Sequence, residues 1–121
     1  MLLRYTLIAI FALLGSLAFG DELIIFHMPG CRPCGYLKAM LAENPDLVRG
    51  FTVSQINISA DPESAKLFNV SSVPTIVRLN EQDQEVARTV GYDGKQAFAR
   101  WLENSARANK VERRMFRRTS R

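Results

Sequence analysis

Two cysteines and one histidine are all that 121 residues contain. A structural zinc site takes four Cys or His ligands, so Cys31, Cys34 and His27, with Met28 as a soft fourth, fall short of one. They would at most hold copper(I), which accepts fewer and softer ligands. Internal repeats and linkers are missing, and the only biased segment is a basic C-terminus. Long apolar runs are missing too: the charge-free stretch Tyr5–Gly20 has 16 residues, against about 20 needed to cross a bilayer as a helix. No cysteine lies near its end, which argues against a lipid-anchored lipoprotein.

What is present at the N-terminus has the form of an export signal. Residues 1–20, "MLLRYTLIAIFALLGSLAFG", place one basic residue, Arg4, before the apolar run. The run ends with Ala18 and Gly20 at the small-residue positions of a cleavage site, just before Asp21-Glu22. A signal peptide is expected at 1–20, with a mature chain from Asp21 in the periplasm or another extracytoplasmic space. The alternatives are a buried N-terminal helix and an uncleaved segment that retains the protein at the membrane.

An apolar fraction of 47% with 23% charged residues suits one small domain, placed at 21–106. Charge is uneven. Residues 107–121 hold seven of the 16 Lys and Arg against the single acid Glu112, a net +6. With Arg4 also set aside, 21–106 keeps eight basic and 11 acidic residues, a net −3. The formal +4 of the chain thus belongs to its tail.

Periodicity predicts the elements. The continuous apolar run of 22–28 suits a strand buried on both faces. In 31–44, Tyr36, Leu37, Met40 and Leu41 recur at helical spacing, with Pro33 in the first turn, where a missing N–H is harmless. Residues 51–58 alternate as a second strand. Asp61-Pro62-Glu63 opens a short helix over 61–70. The β-rich runs 74–80 and 84–90 form a hairpin, and Phe98, Trp101 and Leu102 stripe a closing helix. The order is β-α-β-α-β-β-α: two strands parallel through a helical crossover, and two antiparallel through a tight turn.

The stretch "HMPGCRPCGY" sits where the first strand gives way to a helix. As a staple, a Cys31–Cys34 bridge closes a very small loop and stabilises little. As a metal clip it is short of ligands, and on a strand His27 and Met28 point to opposite faces. As a redox pair it is well placed: the helix N-terminus stabilises an anion, so Cys31 would be a thiolate nucleophile of lowered pKa with Arg32 beside it. Cys34, one turn into the helix, would then resolve the mixed disulfide.

With these residues the chain resembles the thioredoxin superfamily over nearly all of 22–106. The resemblance rests on Cys-X-X-Cys at a strand-to-helix junction, Val73-Pro74-Thr75 some 40 residues on and leading into a hairpin, Gly91 after the last strand, and the Phe98/Trp101/Leu102 helix. It implies a minimal thioredoxin fold, α/β, with a four-stranded mixed sheet flanked by helices. It also implies a cis Pro74 lying against the dithiol, with the Val73 backbone pairing to substrate as an added strand. Departures are clear as well. The superfamily's buried acid falls on Ile25, its lysine partner on Gln55, and the Trp commonly found before the first cysteine on Gly30. His27 could substitute as the base, against a plain structural role.

The expected activity is therefore thiol:disulfide exchange in an exported enzyme, with Cys31 as nucleophile and Cys34 resolving. Arg32 and Pro33 would tune the pair, and Val73 and Pro74 would position substrate. Pro33 resembles the reducing members and so favours a reductase. Arg32 and the missing acid pull the other way, toward a more oxidising disulfide. No cofactor or metal is expected in this reading. Its partners would be protein disulfides and an upstream membrane electron donor, with the protein itself a monomer. The rival reading is a copper(I) carrier using Cys31, Cys34 and His27. For the basic tail, the plain expectation is a solvated continuation of the last helix. Weak contact with anionic lipid is the functional alternative, and export argues against nucleic acid.

Overall fold

The computed structural model describes residues 20–120. The expected signal segment lies outside these residues except for Gly20, and nothing in the fold bears on it. Four strands form one sheet in the order β2-β1-β3-β4. They are β1 (Glu22–His27), β2 (Thr52–Asn57), β3 (Thr75–Leu79) and β4 (Glu85–Val90), with helices α1 (Arg32–Glu43), α2 (Pro62–Leu67) and α3 (Lys95–Thr119). β1 runs parallel to β2 and antiparallel to β3, and β3 pairs antiparallel with β4. A 3-10 turn, Pro45–Val48, follows α1 and was not anticipated by the apolar pattern.

The unbroken apolar run of β1 is explained by its central place. Leu23 and Ile25 face α1 and α3, packing with Leu37, Met40, Ile76, Phe98 and Leu102. Ile24 and Phe26 face the other way, toward Val77, Leu79 and the partly buried Phe68 next to α2. Each such fully buried side chain contributes about 1.5–3 kcal/mol, so a central strand with no polar face is the main anchor of the sheet.

Arg78 breaks the apolar pattern of β3. It is buried on the α3 side, where Nε and Nη2 donate to Asp21 Oδ2 at 2.9 and 2.6 Å. Its Nη1 donates to Ser105 Oγ at 2.8 Å and to the Leu102 carbonyl at 3.2 Å, and the guanidinium lies 4.9 Å from the Phe51 ring centroid. One side chain thus joins the start of β1, β3 and the middle of α3. Among the described residues no buried side-chain N or O lacks a partner.

α2 is shorter than the 61–70 expected, and α3 continues through the basic tail as its plain reading has it. Residues 95–119 contain no Gly or Pro and are rich in Arg and Ala, so nothing stops the helix where the domain body ends. Among the described residues, no helix is long and apolar enough to cross a membrane.

Candidate active site

The C-terminal end of β1 leads through Met28, Pro29 and Gly30 into α1. Gly30 has φ +78°, a left-handed turn that favours glycine. Cys31 is the N-cap of α1, Arg32 opens its first turn and Pro33 follows. Cys31 is half-buried and Cys34 buried, while Arg32 and Pro33 are exposed. A disulfide joins the two cysteines across a Cα–Cα distance of 5.3 Å. The Cys34 backbone N–H donates to Cys31 Sγ at 3.2 Å. Cys31 sulfur therefore takes the place that a Ser or Asp oxygen usually fills at a helix N-cap. That geometry sets the outer sulfur at the N-terminal end of the helix and keeps the inner one under cover.

β3 begins beside this junction, because Thr75 pairs with Phe26 at the end of β1. The Val73–Pro74 peptide bond is cis, Pro74 is buried, and its carbonyl accepts from Gly91 N–H at 2.8 Å. Val73 lies just ahead of the strand, outside the ladders that β3 makes with β1 and β4. Gly91 has φ +87°.

His27 ends β1 on the α1 side, and its Nδ1 sits 3.1 Å from Lys38 Nζ. An ammonium at that distance requires a neutral, accepting imidazole nitrogen. Burial lowers the His27 pKa below its ordinary value, and the Lys38 charge lowers it further. Lys38 was missed in the sequence. It lies one helical turn after Cys34, and that i+4 spacing was the signal available. The contact occupies one of the two ring nitrogens, Nδ1. Among the described residues no three His, Cys, Asp or Glu side chains gather into a metal cluster.

The superfamily's acid and lysine positions are cross-strand partners here, Ile25 opposite Gln55. Ile25 is fully buried among Leu37, Ile76 and Phe98, so the site where a buried carboxylate would stand is part of the core.

A dithiol at a helix N-terminus on a four-stranded mixed sheet defines a thiol–disulfide oxidoreductase, and comparisons with known proteins agree. A family model described as a thioredoxin-like domain matches residues 22–106. Thioredoxin of Chlamydia muridarum is 35% identical over 91 residues, covering 72% of this chain and 84% of that protein. Thioredoxin of Mycobacterium tuberculosis is 35% identical over 81 residues, covering 66% and 69%. Among solved structures, a mutant thioredoxin from Halobacterium salinarum shares the fold with a TM-score of 0.61 at 23% identity, covering 71% of this chain and 74% of that one. The chain belongs to the thioredoxin-like family.

Proposed function

We propose that the protein is an exported reductase of protein disulfides. The observation that carries the chemistry is the Cys34 N–H directed at Cys31 sulfur at the start of α1. In the reduced protein, Cys31 thiolate attacks one sulfur of a substrate disulfide; a mixed disulfide forms and one substrate thiolate leaves. Cys34 then gives up its proton and attacks Cys31 sulfur, closing the internal disulfide and releasing the second substrate thiolate. Two electrons pass from the dithiol to the substrate, and the released thiolates take up protons. No cofactor enters the balance.

Pro33 ahead of the resolving cysteine supports the reducing direction, through its resemblance to reducing family members. The Val73 peptide, left out of the sheet ladders, suits a substrate segment added as an extended strand. Arg32, exposed beside the attacking sulfur, supplies positive charge to the thiolate, and in this reading His27, at the end of β1, is the base that takes a proton. Export rests on the form of residues 1–20. Outside the cytosol the oxidised protein needs a membrane protein that passes electrons across the bilayer, and the protein works as a monomer.

The test is capture. Cys34→Ser should accumulate mixed disulfides with partner proteins through Cys31, and Cys31→Ser should not. Stoichiometric copper(I) binding with no mixed disulfide ever captured would establish the carrier reading instead.

A further inference from the structure

The family match ends at residue 106, and α3 continues to Thr119. This extension is sharply two-sided. Lys110, Arg113, Arg114 and Arg117 stand at i, i+3, i+4, i+7 and share one face. Ala108, Val111 and Met115 share another, bordered by Arg118, while Phe116 lies apart, on the side of Glu112 and Arg113. Val111, Met115 and Phe116 are 53, 65 and 75% exposed, and Phe116 lines a cleft with Gln84 and Val86 of the β3–β4 hairpin.

The extension also has a fixed place in the molecule. α3 starts just after Gly91, whose N–H bonds Pro74 at the dithiol end, and passes Arg78 at Ser105. It then runs on past the β3–β4 hairpin at the opposite end. At 1.5 Å per residue its 25 residues span about 37 Å. The chain enters at that same far end. Gly20 and Asp21 line a cleft of about 350 Å³ together with Lys110 and Arg113, and Gly20 is where the apolar run beginning at Tyr5 joins the domain.

We propose that residues 107–119 are a docking helix for anionic phospholipid, lying in the surface of a bilayer with Val111 and Met115 buried in it. A helix with low net hydrophobicity, an arginine-rich side and exposed large apolar side chains binds in this manner. The net +6 of 107–121 complements an anionic headgroup layer, and arginine and lysine stems reach from an embedded helix back to the phosphates. The basic helix and Asp21, just ahead of β1, share the end of the molecule away from the dithiol. This inference concerns the tail alone and stands whatever the direction of electron flow.

The experiment uses the full chain carrying Met115→Trp, mixed with phosphatidylcholine vesicles made with and without phosphatidylglycerol. Because the reporter is in the tail, attachment through the N-terminal run does not mimic it, and the same protein without Met115→Trp gives the Trp101 background to subtract. The expected result is a blue-shifted signal, quenched by brominated acyl chains, on the anionic vesicles only. Each Arg→Gln change at 113, 114, 117 or 118 should weaken it about fivefold, with circular dichroism unchanged. An identical reporter spectrum on both vesicle types overturns the proposal. So does a shift that appears with soluble polyglutamate and not with vesicles, which would assign the helix to an acidic protein.

Discussion

The backbone N–H of Cys34 points at the sulfur of Cys31, 3.2 Å away, so that sulfur caps the helix that carries its own disulfide partner. A free thiol titrates near pH 8.5, and thiols so placed titrate lower. In the reduced protein, iodoacetamide should label Cys31 well below pH 8 and leave the buried Cys34 largely unmodified. Mass spectrometry of the alkylated peptide checks this, and equal labelling of both cysteines would contradict it.

His27 and Lys38 give a second prediction. Lys38→Met removes the charge beside the imidazole, and the His27 pKa should rise toward its ordinary value, about 6.5, as followed by NMR of the ring protons. Burial remains, so the return should be partial. The sign for stability follows from proton uptake. With the folded pKa below the unfolded one, the unfolded chain binds the extra proton between the two values. Stability therefore falls as pH drops from about 6.5 toward the lowered pKa, and is flat below it. Denaturant midpoints across that window should show the fall in the native protein and a smaller one in Lys38→Met.

The Asp21–Arg78 pair is almost fully enclosed, with side chains 12 and 8% exposed. Removing one partner leaves the other charge without compensation, at a cost of about 3–5 kcal/mol for a buried pair. Asp21→Asn should lower stability by about that much in urea unfolding, while Arg49→Gln, which breaks an exposed pair with Asp46, should change it by under about 1 kcal/mol. Because Asp21 lies far from the dithiol, Asp21→Asn should retain thiol exchange wherever it remains folded.

Ile25 occupies the family's acid position inside the core. Ile25→Asp should fold best at low pH, where the carboxyl is neutral, and lose stability as pH rises, because burial with no cationic partner raises its pKa. The opposite profile, with stability gained as pH rises, would mean that a partner for the carboxylate exists at this site.

These residues also show what was legible in advance. β1 could be read as a central strand because burial on both faces leaves an unbroken apolar run, and Cys31, Pro33 and Cys34 carry their chemistry in their spacing. The Lys38–His27 contact joins residues from a helix and a strand, 11 apart in the chain, and only packing brings them together. Arg78 reads as the polar position of an alternating strand; its burial depends on Asp21 and Ser105, 57 positions before it and 27 after. The length of α3 was available from the lack of Gly and Pro after Lys95, and the dense run of arginines reads as a solvated continuation of that helix.

The central claim is a reducing dithiol, and the most direct measurement is its potential. The protein is equilibrated in glutathione buffers of graded ratio, its thiols are alkylated with a mass tag, and the fraction of Cys31–Cys34 disulfide is read from the gel shift. A potential of about −270 to −220 mV is predicted, within the range of reducing thioredoxin-like proteins. A potential near about −120 mV would contradict the account and make the protein a donor of disulfides.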